Sequence, residues 1–119
     1  MPELLVDTDV LVDHLRGARR LGAPFPVAYS VITRAELFAG RSAEEDAIQT
    51  LLAPMRELGI TREIAERAGR LRRDTAIRTP DALIAATALE SGLSLLTRNR
   101  RDFDGVTSLR VVSPAPPAR

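Results

Sequence analysis

The sequence predicts an α/β fold whose parallel sheet is covered by helices on both faces. Short apolar runs stop abruptly at a carboxylate or hydroxyl, stretches with helical spacing lie between them, and glycine or proline punctuates the joins. The chain has 119 residues, the size of one domain with a single sizeable core. No internal repeat or linker divides it, so residues 1–112 are expected to form one domain and residues 113–119, rich in Pro and Ala, a flexible tail.

Leu4-Leu5-Val6 ends at Asp7 and reads as a buried parallel strand. Thr8 or Asp9 can cap the helix that follows, through Val10, Leu11, Asp13, His14 and Leu15 to a stop at Gly17. Residues 16–26 read as loop, broken by Gly22, Pro24 and Pro26. Val27-Ala28-Tyr29 is a second brief strand, and Ser30 caps a helix through Ala39 that Gly40 terminates. Ser42 with Glu45 is a capping-box pattern opening a helix to about Leu52. Leu58-Gly59-Ile60 is a third strand, and Thr61 caps a helix carrying Ile64, Ala65, Ala68 and Leu71. Thr79-Pro80 starts another helix, with proline at its favoured first position, Leu83, Ile84, Ala88 and Leu89 along it and Gly92 as its stop. Leu93 to Leu96 and Leu109 to Val112 complete the strands.

Composition removes several functional classes. The chain is 45% hydrophobic and 28% charged, and 17 basic against 16 acidic residues leave +1. That balance argues against a basic nucleic-acid coat and against an acidic disordered chain. Without cysteine there is no disulfide framework, zinc finger or thiol nucleophile, and a cytoplasmic location is permitted. The N-terminus lacks a basic leader and meets a carboxylate at Asp7, so no signal peptide is expected. No apolar run approaches the ~18 residues of a membrane span. With three Phe and one Tyr, stacking platforms for bases are scarce, so any nucleic acid is expected to be held by its backbone. All 17 basic residues are arginine.

In open α/β sheets functional groups gather outside the carboxyl ends of the strands. There the sequence places Asp7 and Asp9 after the first strand, Glu36 in the helix after the second, Asp81 in a first helical turn, and Asn99 and Asp102 after the strand ending at Leu96-Thr97. Carboxylates gathered at one rim repel each other and persist best around a cation. Oxygen donors without His or Cys favour a hard ion, Mg²⁺ or Mn²⁺. Singly, each has a plainer role. Asp81 complements a helix dipole, Asp9 caps a helix, Asp102 forms a turn, and Glu36 pairs with an arginine one turn away. Arg98, Arg100 and Arg101 form a solvated face or, beside a strand end, contact phosphates. Arg72-Arg73 suits a helix C-terminus, and Thr87 packs.

Four segments, in order, resemble the PIN-domain ribonucleases and in particular the VapC toxins of toxin–antitoxin pairs. They are Leu-Val-Asp-Thr-Asp-Val-Leu-Val-Asp-His-Leu-Arg-Gly (5–17), Ser-Val-Ile-Thr-Arg-Ala-Glu-Leu-Phe-Ala-Gly (30–40), Thr-Pro-Asp-Ala-Leu-Ile-Ala-Ala-Thr-Ala-Leu (79–89) and Leu-Leu-Thr-Arg-Asn-Arg-Arg-Asp-Phe (95–103). The resemblance implies a three-layer α/β/α sandwich around a mainly parallel sheet, and metal-dependent cleavage of RNA. Asp7, Glu36 and Asp81 match the family's first three acidic positions and are the implied metal ligands. Asn99 stands where many members carry aspartate; its amide brings no charge, and Asp102 follows it. Thr97 matches a Ser/Thr beside the acidic cluster.

With one or two Mg²⁺ held mainly by Asp7 and Asp81, the implied chemistry is in-line attack of an activated water on the phosphodiester. Glu36 orients that water or completes the metal shell, and Thr97 and Asn99 position water or phosphate. The products carry 5′-phosphate and 3′-hydroxyl ends. The resemblance also implies a cognate VapB-type antitoxin, a homodimer and a toxin–antitoxin hetero-oligomer. The faces Ile48, Leu51, Leu52 and Ile64, Ala68, Leu71 are candidate pairing surfaces, with core packing as their default explanation.

Two other classes fit parts of the pattern. Asp7-Thr8-Asp9-Val10 also satisfies the opening of haloacid-dehalogenase-type phosphatases, with Asp7 as nucleophile. That chemistry, like that of response-regulator receivers, uses a lysine, and this chain has none. The other is a catalytically weak interaction module whose acidic rim binds a partner's arginines.

Overall fold

The computed structural model describes residues 4–17, 27–41 and 43–114. Within them the chain runs β1 (Leu4–Val6), α1 (Thr8–Leu15), β2 (Val27–Ser30), α2 (Val31–Phe38), α3 (Glu45–Leu52), β3 (Arg56–Leu58), α4 (Arg62–Asp74), α5 (Thr79–Ser91), β4 (Ser94–Leu96), a 3₁₀ turn (Arg100–Phe103) and β5 (Val111–Val112). The strands form one sheet in the order β3-β2-β1-β4-β5, with every pairing parallel. This is the three-layer α/β/α arrangement expected.

Strand periodicity divides the core in two. Successive side chains point to opposite faces, so Leu5, Ala28 and Leu95 pack with α4 and α5, whereas Val6, Val27, Tyr29 and Leu96 pack with α1, α2 and α3. Both faces are therefore apolar, and β1 reads as a continuous apolar run. Helix α5 lies deepest. Ala82, Ile84, Ala85, Ala86, Thr87 and Ala88 are buried all round it, because small side chains let it approach both the sheet and α4. Thr87 does pack, its hydroxyl donating to the Leu83 carbonyl at 2.7 Å.

The strand order dictates where a site can form. From β1 the chain adds strands outward through β2 to β3, then crosses back to β4 on the other side of β1. The crevice between the carboxyl ends of β1 and β4 is thus the point where the winding reverses.

Some boundaries move. The cap of α1 is Asp7 itself, whose carboxylate accepts the Thr8 N–H at 2.8 Å, not Thr8 or Asp9: the strand leaves Asp7 extended and first in line. Ser30 and Thr61 cap α2 and α4 as expected. The third strand is Arg56–Leu58 rather than Leu58–Ile60. At a sheet edge, register against Ala28, Tyr29 and Ser30 matters more than hydrophobicity. Helix α3 begins only at Glu45, with Glu44 at its cap position making no side-chain bond; Ser42 lies outside the described residues. The last strand is confined to Val111–Val112, since Leu109 turns back to bond the Val106 carbonyl. Helix α5 starts at Thr79, one residue before proline, and Gly92 ends it in the left-handed conformation (φ 68°). Most of the expected loop, residues 18–26, and tail residues 115–119 lie outside the described residues. Ile48, Leu52, Ile64 and Ala68 are buried within the chain itself, so the two candidate pairing faces are core.

Candidate active site

Asp7 and Thr97 are the residues that follow β1 and β4, and the ladder between those strands brings them together. The Asp7 N–H donates to the Leu96 carbonyl at 2.8 Å. Thr97, fully buried, donates its hydroxyl to Asp7 Oδ2 at 2.7 Å, while Asp7 Oδ1 accepts the Thr8 N–H. Asp7 is only 6% exposed. Burial pushes its pKa up to about 7; the Thr97 hydroxyl and Thr8 N–H resist, and the neighbouring charges of Asp9 and Asp81 raise it further. Among the described residues this carboxylate meets two neutral donors and no cation.

Asp9, in the first turn of α1, is also raised by burial, against the pull of Arg98. It accepts the Arg98 N–H at 3.2 Å and lies 3.3 Å from the Thr97 hydroxyl. With one proton to give, Thr97 makes the shorter bond, to Asp7.

Asp81, in the first turn of α5, faces the same rim. Burial raises its pKa; Arg78 opposes this at an Nε–Oδ2 distance of 3.7 Å, and the charges of Asp102 and Glu36 add to it. Glu36 stands exposed on α2. It has no arginine partner from its own helix; its Oε1 accepts the Thr8 hydroxyl at 2.6 Å, and that hydroxyl lies 3.0 Å from the buried Thr33 hydroxyl. Asp102 is exposed in the 3₁₀ turn, close enough for its charge to bear on Asp81. Asn99, also exposed, precedes that turn and donates its backbone N–H to Thr97 Oγ1 at 3.1 Å. A cleft of about 280 Å³ opens beside Asp81, lined by Arg78, Arg101, Asp102 and the turn Thr75–Ile77.

Asp81 is therefore within electrostatic reach of Asp7, Glu36 and Asp102. The three neighbouring arginines separate. Arg101 lines the cleft. Arg100 donates to the Val111 carbonyl and the Ser113 hydroxyl, both at 3.3 Å. Arg98 grips Asp13 through two bonds of 2.9 and 3.1 Å. Sequence reasoning missed Asp13, Thr8 and Thr33. Only the Asp9–Asp13 spacing, one helical turn on one face, could have signalled the first; nothing in the sequence pairs Thr8 with Glu36.

Among the described residues no three of His, Asp and Glu stand close enough to enclose a metal ion between them. The donor chemistry nevertheless fits a hard divalent cation. All donors are carboxylate oxygens, two of them destabilised by burial and by one another. Mg²⁺ keeps several waters and needs only one or two protein carboxylates.

Three comparisons with known proteins agree. The family model for the PIN domain matches residues 4–108. The chain is 44% identical to Ribonuclease VapC10 of Mycobacterium tuberculosis, over 81% of this chain and 82% of that one. A solved toxin–antitoxin complex from Klebsiella pneumoniae superposes with a TM-score of 0.80 at 37% identity, covering 94% of this chain and 98% of that one. VapBC-5 from Mycobacterium tuberculosis superposes with a TM-score of 0.71 at 29% identity, covering 94% and 99%. The acidic crevice at the winding reversal is thus carried by a chain that belongs to the PIN-domain family, in its VapC group.

Proposed function

We propose that this chain is an Mg²⁺- or Mn²⁺-dependent endoribonuclease, acting in the cytoplasm as the toxin of a toxin–antitoxin pair. The single observation that carries this reading is the carboxylate at the centre of the cluster: Asp7 is buried against two neutral donors and pushed up to about 7, with Asp9 and Asp81 raising it. A site that destabilises its own ionised acids is arranged for a positive charge supplied from outside. The names of the relatives, a ribonuclease and toxin–antitoxin complexes, point the same way. The domain spans residues 1–112.

Asp7 and Asp81 would hold the cation, with Glu36 acting on it through a water. A bound divalent ion supplies charge to a phosphodiester and acidity to water. The residues do the rest. Thr97 fixes Asp7 through Oδ2, and Thr8 fixes Glu36 through Oε1. Glu36 orients the attacking water. Asn99 and Thr97 position phosphate or water, Asp102 adds negative charge beside Asp81, and Arg101 in the cleft meets the RNA backbone. Attack in line with the departing 3′-oxygen leaves 5′-phosphate and 3′-hydroxyl ends, and no side chain acts as nucleophile.

A groove of about 410 Å³ between α1, α2 and α3, lined by Val12, Leu15, Leu37 and Ile48, runs to Glu36. Leu15 is the exposed large hydrophobic among the described residues. This groove suits an apolar segment of a VapB-type antitoxin, in a hetero-oligomer built on a homodimer.

The test is cleavage of RNA by the purified chain with Mg²⁺ or Mn²⁺, with end mapping. Products bearing 5′-phosphate, abolished by a chelator, are expected. Products ending in 2′,3′-cyclic phosphate, or cleavage indifferent to chelation, contradict the reading.

A further inference from the structure

The Arg98 side chain is about half exposed, yet its guanidinium is tied to two carboxylates. Its Nη1 donates to both oxygens of Asp13, at 2.9 and 3.1 Å, and its Nε lies 3.9 Å from Asp9 Oδ2. Its backbone N–H donates to Asp9 as well. Asp9 and Asp13 stand one turn apart on α1, and Asp13 is only 7% exposed. Two carboxylates on one helix face thus hold one arginine of the segment after β4, across 85 to 89 residues of sequence. Next to Arg98 in the chain is Thr97, whose hydroxyl bonds Asp7 and whose Oγ1 accepts the Asn99 N–H.

We infer that Arg98 is a positioning residue for the reaction: clamped on Asp13 and Asp9, it holds the Thr97–Asn99 segment against Asp7. This rests on the ribonuclease reading. A buried carboxylate is not left without its partner at small cost, so Asp13 keeps Arg98 inward and the segment follows. The arginine's geometry also suits this role. Nη1 sits between both Asp13 oxygens while Nε lies towards Asp9, so the side chain is held at two points, and a shift of about 1 Å in Thr97 is enough to impair a site that works by alignment. The consequence is that Arg98 acts on turnover through Asp13 rather than on RNA affinity through phosphate.

The test is a double-mutant cycle on RNA cleavage with Arg98→Gln, Asp13→Asn and the pair. Each single variant is expected to lower kcat about 10- to 100-fold with KM held within about twofold, and the pair to be no worse than either alone. Arg98→Lys, which keeps a charged donor for Asp13 but loses the Nε near Asp9, should fall between. If Asp13→Asn does not fold, Arg98→Gln still decides: wild-type kcat overturns the inference. Amide exchange in the metal-free protein gives an independent reading. Arg98 and Asn99 amides should exchange at least about tenfold faster in Arg98→Gln, with Leu5 and Val6 unaltered. The opposite pattern also overturns it: Arg98→Gln raising KM and flattening the salt dependence while Asp13→Asn keeps full turnover makes Arg98 a phosphate contact. Asp7→Asn in parallel separates the two levels. Cleavage by it at the wild-type rate sinks the ribonuclease reading. A dead Asp7→Asn beside unimpaired Arg98 and Asp13 variants sinks the clamp alone.

Discussion

At Glu57 a carboxylate meets an arginine and a phenol; at Asp7 it meets two neutral donors and the charges of other carboxylates. On the outer strand, Glu57 Oε1 accepts from Arg34 Nε at 2.6 Å and from the Tyr29 hydroxyl at 2.8 Å, and Arg34 Nη2 donates to that same hydroxyl at 2.8 Å. The guanidinium also lies 5.8 Å from the centre of the Tyr29 ring. Arg34 first, and Tyr29 after it, hold Glu57 below its usual pKa. In the crevice, Asp7 and Asp81 are both raised. One cluster is complete as it stands and partly open to water. The other is centred on a buried carboxylate with no charged partner of its own. The same residue types thus mark a structural tie in one place and the proposed metal site in the other, and the difference lies in which partners the fold supplies.

The comparison breaks most sharply under mutation. Asp7→Asn or Asp81→Asn should lower RNA cleavage by roughly a thousandfold or more while the protein stays folded. Glu57→Gln should leave cleavage within about twofold in the same assay. Equal losses at the two clusters would erase the distinction.

Stability against pH comes next. Asp7 has a folded pKa of about 7 against an ordinary value of 3.8. Between those values the folded state holds a proton that the unfolded state has lost, so stability falls as pH rises across that window. Above pH 7 the penalty is fully present, of the order of 4 kcal/mol from the size of the shift. Urea midpoints of the metal-free protein should therefore fall from about pH 4 to about pH 8 relative to those of Asp7→Asn, which lacks this titration. A wild-type protein gaining stability over that range relative to the variant would contradict the account. Glu57 has the opposite sign: its contribution is present above its ordinary pKa and lost as pH falls through the lowered one.

A smaller effect belongs to Thr97. Thr97→Val keeps the shape of a buried side chain but removes the donor to Asp7 Oδ2. About a tenfold loss of turnover is expected, with a smaller change in KM, since the bond to Asp7 and the one accepted from the Asn99 N–H are both lost.

Much of this was legible in the sequence. Asp7, Asp81 and Thr97 stand directly at strand ends or helix starts, where topology alone converges them. The strands β1, β2 and β4 announce themselves because both faces of the sheet are covered. Glu36 was harder, with apolar Ala35 and Leu37 beside it, because its direction is set by a hydroxyl from another helix. The edge strand β3 was misplaced because its hydrogen-bond register, not its hydrophobicity, defines it. The Arg98–Asp13 clamp links residues 85 positions apart; only the sheet order makes them neighbours. Helix periodicity likewise could not separate a pairing face from a core face, and burial of Ile48, Leu52, Ile64 and Ala68 decided for the core.

The central claim is that the crevice is completed by a divalent cation, and calorimetric titration of the purified chain with Mn²⁺ addresses it directly. Asp7 must lose its proton to serve as a ligand, so binding should tighten as pH rises from about 6 to about 8 and release close to one proton per site at about pH 6. Asp7→Asn should lose most of the heat. Mn²⁺ binding that is absent, independent of pH, or untouched in Asp7→Asn would contradict the account.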